Sequence, residues 1–144
     1  MTYKARKLNV TDMRVLFVCS GNAFRSPLAE ALLKKLRPNV EVDSAGLHPV
    51  INIAESAKRY LARVGAGKYL KADSESLACK SLASYDLIVA MEDIHKRAVL
   101  SMCPDCTEKV FVWNIEDPYF MPAGSAEKIF NQIRQKVEEL ASSL

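Results

Sequence analysis

One short segment combines a cysteine, an arginine and a serine at a spacing suited to phosphate chemistry. It runs from Cys19 to Pro27 and reads Cys-Ser-Gly-Asn-Ala-Phe-Arg-Ser-Pro. Backbone N–H groups of such a loop point inward around an anion, and the start of a following helix adds further N–H groups. Glycine permits close backbone approach, and asparagine tolerates the left-handed conformation. The pattern predicts phosphate binding by Ser20, Gly21, Asn22, Ala23, Phe24, Arg25 and Ser26.

Cys19 and Arg25 are the candidate reactive pair of this loop. The guanidinium of Arg25 is a rigid fork that matches two phosphate oxygens. The same positive surroundings favour the thiolate form of a cysteine, which is the nucleophilic form. Ser26 can donate its hydroxyl to that thiolate and later to the departing sulfur. An isolated cysteine at a strand end is more often a small buried residue, but the complete loop favours a nucleophile.

Asp117 is the candidate general acid. Cleavage of a phosphate ester needs a proton for the leaving oxygen, and a carboxylic acid can supply it and then act as a base toward water. Asp117 comes after the fourth predicted strand, and Pro118 and Tyr119 follow it. Since Asp-Pro is also common in simple turns, the assignment requires that Asp117 overhangs the Cys19 loop.

Alternating strand and helix patterns supply the framework for these residues. The apolar run 14–19 predicts a buried parallel strand, and a helix with Ser26 as its N-cap follows the loop. The other predicted strands cover 40–44, 85–90 and 110–113, and the predicted helices cover 26–36, 53–64, 93–102 and 125–142. This alternation predicts an α/β fold with a parallel sheet, and ligands of such sheets bind at the carboxyl ends of the strands.

Length, charge and hydropathy exclude several classes of protein. The 144 residues predict a single domain over 1–144, with residues 1–12 as a candidate N-terminal extension. A net charge of +3 is too balanced to indicate a nucleic-acid partner. The chain shows no signal peptide and no apolar run near the roughly 20 residues that span a bilayer. We therefore expect a cytoplasmic protein with reduced thiols, and neither nucleic acid nor membrane as a partner.

The loop and its surroundings resemble the low-molecular-weight protein tyrosine phosphatases, whose loop reads C-x-G-N-x-C-R-S-P. The resemblance starts with the segment from Val15 to Glu30. Three further segments match in order, namely Asp43-Ser44-Ala45-Gly46, Tyr85-Asp-Leu-Ile-Val-Ala-Met-Glu92 and Asp117-Pro118-Tyr119. The matches extend from about Arg14 to the C-terminus. The resemblance implies a four-stranded parallel sheet in the flavodoxin-like order 2-1-3-4, with helices on both faces in three layers.

The resemblance also implies an activity. Phosphotyrosine or aryl phosphate monoesters would be hydrolysed through a phosphocysteine on Cys19, with Arg25 in the loop and Asp117 as general acid and base. No metal or cofactor is expected. The substrate would be a phosphotyrosine-containing protein or a small aryl phosphate, and phosphate, vanadate and similar oxyanions would inhibit. The walls of the substrate pocket would come from His48, Tyr119 and Phe120, since a phenyl ring stacks well between such side chains.

Two positions depart from the family pattern. Phe24 stands where many members have a second cysteine that forms a protective disulfide with the nucleophile, so this route of reversible oxidation is closed. The family often has a histidine before the third strand that binds the loop asparagine, whereas residues 68–81 contain none. Candidates for holding Asn22 are then Ser44, Ser74 and Ser76.

Cys103 and Cys106 form a C-x-x-C pattern that the resemblance does not explain. Such a pattern can be half of a zinc site, a redox pair or a structural disulfide. Zinc needs two more ligands, and no remaining cysteine or histidine has suitable spacing. The favoured interpretation is a pair of ordinary thiols near a helix end, with a disulfide as the alternative.

Two other functions compete with the phosphatase hypothesis. Thiol-coupled arsenate reductases have a similar loop, but they use further cysteines, one of them at the end of the third strand, where this chain has Ala90-Met91-Glu92. A non-catalytic phosphate-binding module would be expected to lack Cys19, Arg25 or Asp117, and all three are present. Both comparisons favour hydrolysis.

Overall fold

The computed structural model describes residues 13–122 and 124–144, without the side chain of Phe120. The candidate extension at residues 1–12 lies outside the described residues. The strands are β1 (Arg14–Cys19), β2 (Glu41–Gly46), β3 (Leu87–Ala90) and β4 (Val110–Val112). The helices are α1 (Arg25–Leu36), α2 (Glu55–Arg63), α3 (Asp93–Met102) and α4 (Ser125–Ser143). In the part of the chain that the model covers, no helix combines the length and apolar character needed to cross a bilayer.

The four strands form one sheet in the order β2-β1-β3-β4, and every neighbouring pair is parallel. This confirms the expected order. The central strand β1 is buried from Val15 to Cys19 because it has a neighbour on each side and helices above and below. In its register with β2, Cys19 lies opposite Gly46. The nucleophile candidate thus ends the most buried strand, at the carboxyl edge of the sheet.

Side chains of β1 alternate between two apolar layers. Val15 and Phe17 belong to a cluster with residues of α1, α2 and α4. Leu16 and Val18 belong to a second cluster, with Val99 of α3 and with the short 3-10 turns before β3. Period-two alternation of a strand buried on both faces produces this division. The predicted three layers are therefore confirmed.

The start of α1 differs from the prediction. The helix begins at Arg25, and its N-cap is Phe24, which makes no side-chain capping bond. The expected N-cap role of Ser26 is wrong, because the serine hydroxyl is turned inward to the Cys19 thiol and the Asn22 amide. The loop is thus one residue shorter than predicted, and Arg25 belongs to the rigid first turn of the helix.

Cys103 and Cys106 form a disulfide, with Cα atoms 5.5 Å apart. The favoured interpretation of two ordinary thiols is therefore wrong. Helix α3 ends at Met102, and the chain enters a tight 3-10 turn that brings the two cysteines within bridging distance. Cys79 is free and exposed. No group of three or more His, Cys, Asp or Glu side chains suited to a metal ion occurs among residues 13–122 and 124–144.

Candidate active site

A pocket of about 610 Å³ opens at the carboxyl end of β1. The loop after β1 contributes Cys19, Ser20, Gly21, Ala23, Phe24 and Arg25 to its lining. His48, Asp117 and Tyr119 line it from other parts of the chain. Asn22 and Ser26 are fully buried and bond to one another behind the loop. The structure therefore brings together the residues predicted from the sequence, apart from Phe120, whose side chain lies outside the described residues.

The thiol of Cys19 is held from below by a serine. Cys19 is only 2% exposed, and its Sγ lies 2.9 Å from Oγ of Ser26. Ser26 Oγ also accepts a hydrogen bond of 2.8 Å from the side-chain amide of Asn22. The Ser26 hydroxyl and the Cys19 thiol are thus hydrogen-bonded to each other, and the Asn22 amide holds the serine side chain in place beneath the sulfur.

Gly46 at the end of β2 lies directly against the back of the loop. A Cβ atom at this position would lie 2.7 Å from the backbone nitrogen of Asn22 and 2.7 Å from the carbonyl oxygen of Ser20. Both distances are far below van der Waals contact. Glycine is therefore required here for the strand and the loop to approach each other this closely.

Asn22 adopts the left-handed conformation, with φ of 51°. Its side-chain amide donates to Ser44 Oγ at 2.9 Å, and its backbone carbonyl accepts from the hydroxyl of Ser74. Ser44 and Ser74 thus act as expected, whereas Ser76 instead accepts a bond from the backbone of Ala78. The strained conformation is stabilised by bonds on three sides of the residue.

Lys71 is a further partner of Asn22 that the sequence interpretation missed. Its Nζ donates to Asn22 Oδ1 at 3.0 Å and to the carbonyl oxygen of Ser44 at 2.8 Å. The ammonium is tolerated in this buried position because Glu75 and Glu30 lie 2.7 Å and 4.0 Å from it. Lys71 therefore takes the place of the histidine that the family often has before the third strand.

We expect Lys71→Met to loosen the loop. The substitution keeps the length of the side chain but removes the Lys71 donor from the Ser44 carbonyl and from Asn22 Oδ1, which keeps only the backbone N–H of Glu75. Catalytic efficiency should fall about tenfold, and the free energy of unfolding by about 2 kcal/mol. Steady-state kinetics and urea unfolding measure the two effects. Lys68→Met is the matched control, since Lys68 is exposed and its ammonium lies over the ring of Tyr69, away from Asn22.

Arg25 is the most buried charged side chain of the pocket, at 1% exposure. Its Nη1 donates to the carbonyl oxygen of Ile115 at 2.7 Å and forms an ion pair with Glu92. Its Nη2 lies 3.5 Å from Asp117 Oδ2 and 3.5 Å from Ser20 Oγ. These bonds fix one edge of the guanidinium. The orientation of the other edge is therefore set before a ligand binds.

His95 is a second residue that the sequence interpretation missed. It lies in the first turn of α3 with no exposed surface. Its Nδ1 accepts the backbone N–H of Glu92 at 3.0 Å, and its Nε2 lies 2.9 Å from Ser20 Oγ. Burial, and then the positive charge of Arg25, lower the pKa of His95 to about 4. The ring is therefore neutral near pH 7.

This shift of the His95 pKa predicts a loss of stability in mild acid. The unfolded chain protonates the residue near pH 6.5, whereas the folded protein resists protonation down to about pH 4. The stability is thus present above pH 6.5 and is lost as the pH falls toward 4. Between pH 7 and pH 5 the wild type should lose about 2 kcal/mol more than His95→Asn, as measured by urea unfolding. An equal loss in both proteins would contradict the shift.

Asp117 caps a short 3-10 turn at the rim of the pocket. Its Oδ1 accepts the backbone N–H of Tyr119 at 3.0 Å, and its Oδ2 faces Arg25. The side chain is 24% exposed, so solvent can exchange protons with it. Asp117 thus lines the same pocket as Cys19 and Arg25.

The aromatic walls of the pocket differ in part from the prediction. The rings of Phe24 and Tyr119 meet edge to face, with centroids 6.5 Å apart. Tyr119 is 71% exposed, and His48 is exposed on the opposite loop. Phe24, predicted as a phosphate-binding residue of the loop, also contributes an aromatic ring to the pocket lining. The mouth of the pocket is therefore lined by two aromatic rings that pack on each other.

Comparisons of this chain with known proteins agree on one protein family. The model of the low molecular weight phosphotyrosine protein phosphatase family matches residues 14–144. Low molecular weight protein-tyrosine-phosphatase Etp of Escherichia coli is 30% identical, over 90% of this chain and 93% of that protein. A protein-arginine-phosphatase of Bacillus subtilis is 33% identical, over 92% and 94%. The structure of Vibrio vulnificus Wzb in complex with benzylphosphonate matches with a TM-score of 0.83 and 27% identity, over 92% of this chain and 99% of that one.

Proposed function

Since the chain belongs to the low molecular weight phosphotyrosine protein phosphatase family, we propose that it hydrolyses phosphate monoesters of tyrosine in proteins or of small aryl alcohols. One observation carries the proposal. A buried cysteine ends the central strand, and the loop after it leads to Arg25, whose guanidinium lies 3.5 Å from Asp117. A nucleophile, an anion ligand and a proton donor therefore share one pocket.

In the first step, the Cys19 thiolate attacks phosphorus and the bond between phosphorus and the ester oxygen breaks. Asp117 transfers its proton to the leaving oxygen, so a neutral phenol departs. The loop N–H groups and Arg25 stabilise the negative charge on the three remaining phosphoryl oxygens. The product of this step is a phosphocysteine.

In the second step, water attacks the phosphocysteine and Asp117, now a carboxylate, accepts the proton of that water. The bond between sulfur and phosphorus breaks, and inorganic phosphate forms. Ser26 supports the departing thiolate, because its hydroxyl lies 2.9 Å from the sulfur. Phosphate and vanadate should inhibit, since both occupy the same cradle of donors.

The walls of the pocket favour an aromatic leaving group. The rings of Phe24 and Tyr119 line the pocket and offer apolar surface to the flat ring of phosphotyrosine. Phosphoarginine is the competing substrate class, because a relative at 33% identity is a protein-arginine-phosphatase. Asp117 is the acidic residue in the lining of the pocket and could protonate either leaving group, so the acid does not discriminate between them. The aromatic lining favours phosphotyrosine, and we assign it as the substrate class.

The arrangement of thiols argues against an arsenate reductase. Such a reaction passes a disulfide from the nucleophile to further cysteines. Among the described residues, Cys19 is the cysteine that lines the pocket, whereas Cys103 and Cys106 are paired with each other. The retained Cys19 and Asp117 likewise argue against a module that only binds phosphate.

The test is hydrolysis of p-nitrophenyl phosphate in the presence of a chelator, followed by a comparison of matched peptides that carry phosphotyrosine, phosphoarginine or phosphoserine. We expect activity with the chelator and the highest catalytic efficiency on phosphotyrosine. Preference for phosphoarginine would overturn the substrate assignment alone. Activity that requires an added metal would overturn the mechanism.

Replacement of Asp117 should affect poor leaving groups most. Asp117→Asn keeps the shape of the side chain but removes the proton, so phenyl phosphate should lose about 10²- to 10³-fold in kcat. The loss for p-nitrophenyl phosphate should be smaller, because nitrophenolate leaves without a proton. A plot of kcat against the pKa of the leaving phenol measures this difference. Glu116→Gln, an exposed neighbour, is the control, and equal losses on both esters would contradict the acid role.

A further inference from the structure

The hydroxyl of Ser20 is held by two donors. His95 Nδ1 accepts the backbone N–H of Glu92, so a neutral imidazole must carry its hydrogen on Nε2. That Nε2–H donates to Ser20 Oγ at 2.9 Å, and Arg25 Nη2 approaches the same oxygen at 3.5 Å. Both lone-pair directions of the serine oxygen thus face donors. The serine hydrogen must point to a third direction.

Among residues 13–122 and 124–144, no side chain or backbone group accepts this hydrogen. Ser20 lines the phosphate pocket, and Arg25 Nη2 joins it to Asp117 through two distances of 3.5 Å. The hydroxyl therefore lies beside the cationic group that would bind the phosphoryl oxygens. A phosphoryl oxygen bound in the pocket supplies the acceptor that the serine hydrogen lacks.

We propose that His95 is a positioning residue that directs the Ser20 hydroxyl to donate to a phosphoryl oxygen, adding one side-chain donor to those of the loop backbone and Arg25. The inference rests on the proposed phosphatase function. A fully buried imidazole that accepts from the backbone with one nitrogen and donates with the other has a single available tautomer and a single ring orientation. The hydroxyl then needs no rotation when the transition state forms.

The geometry predicts that the two residues act as one unit. Ser20→Ala removes the donor. His95→Asn removes the bond that aims it, while the shorter amide oxygen still accepts the Glu92 N–H. Each variant should lower kcat for p-nitrophenyl phosphate about tenfold, with KM changed less than threefold, and should weaken inhibition by vanadate about tenfold.

The double variant Ser20→Ala/His95→Asn tests whether His95 acts through Ser20. If His95 acts through Ser20, the double variant should have the kcat and the vanadate inhibition constant of Ser20→Ala alone. Losses that multiply to about 100-fold would overturn the proposal, because they would show two independent roles. A kcat of Ser20→Ala within twofold of wild type would also overturn it. His48→Asn serves as the comparison for additivity: whatever its own effect on kcat, that effect should multiply with the effect of Ser20→Ala, because Ser20 Oγ meets the side chains of His95 and Arg25 rather than that of His48.

A measurement on the unsubstituted protein covers the case in which His95→Asn does not fold. The chain has two histidines, and only His95 is buried. Protein labelled with ¹⁵N-histidine should therefore show one sheltered imidazole N–H, on Nε2. Vanadate should shift that resonance in wild type and leave it in place in Ser20→Ala. A proton found on Nδ1, or the same vanadate-induced shift of the resonance in both proteins, would overturn the proposal. An inactive wild type would overturn the proposed function instead.

Discussion

Cys19→Ser should leave a folded protein that still binds phosphate and has lost about 10⁴-fold or more of its kcat. A serine hydroxyl stays protonated near neutral pH and is a far weaker nucleophile than a thiolate. The nearest side-chain partner, Ser26 at 2.9 Å, is a hydroxyl and cannot act as a general base. The measurement is p-nitrophenyl phosphate turnover, with calorimetry of phosphate binding to show that the pocket is intact.

The chain provides its own control for this substitution. Cys79 is also a free thiol, but it is exposed and does not line the pocket. Cys79→Ser should therefore keep kcat within twofold of wild type. If Cys19→Ser kept more than about a hundredth of the activity, the phosphocysteine route would be excluded, since no phosphocysteine can form without that sulfur.

Arg25→Lys should lower kcat/KM about 10³-fold despite the retained positive charge. The guanidinium bonds to Glu92 and the Ile115 carbonyl with one nitrogen, and its other nitrogen faces Asp117. A lysine ammonium is one point that cannot occupy both places, so either the internal partners or the phosphate oxygens lose a donor. We expect a rise in KM and weaker phosphate inhibition together with the fall in kcat.

Arg97→Lys is the matched control for Arg25→Lys. Arg97 lies on the exposed face of α3, in an ion pair with Asp93 whose two side chains are both about 70% exposed. Its replacement should leave kcat/KM unchanged within twofold, because exposed pairs of this kind contribute little. If Arg25→Lys behaved like this control, a bidentate arginine would not be needed for phosphate binding.

The local features of the sequence predicted the core of the site. The apolar run of β1, the turn residues after it and the start of α1 are neighbours in the chain, so their pattern is visible without a structure. The strand order followed from resemblance to a family rather than from periodicity. The inward rotation of Ser26 could not be foreseen, since a serine before a proline at a helix start is ordinarily a cap.

The supporting residues were missed because their contacts are distant in sequence. Lys71 meets Asn22 across 49 positions, Glu92 meets Arg25 across 67, and His95 meets Ser20 across 75. Local patterns carry no information at these separations. One signal was available, since Glu92 and His95 follow β3 at the same carboxyl edge as Cys19, where the general rule for parallel sheets places ligands.

The close approach of Gly46 to the loop has a consequence for the thermodynamics of recognition. Because the backbones of Ser20 and Asn22 lie against β2 with no space for a Cβ between them, the loop loses its conformational entropy when the protein folds. We therefore expect anion binding to require no ordering of the loop, so that its affinity is not reduced by immobilisation of the backbone. A glycine that does not itself line the pocket thereby influences how tightly the product phosphate is retained.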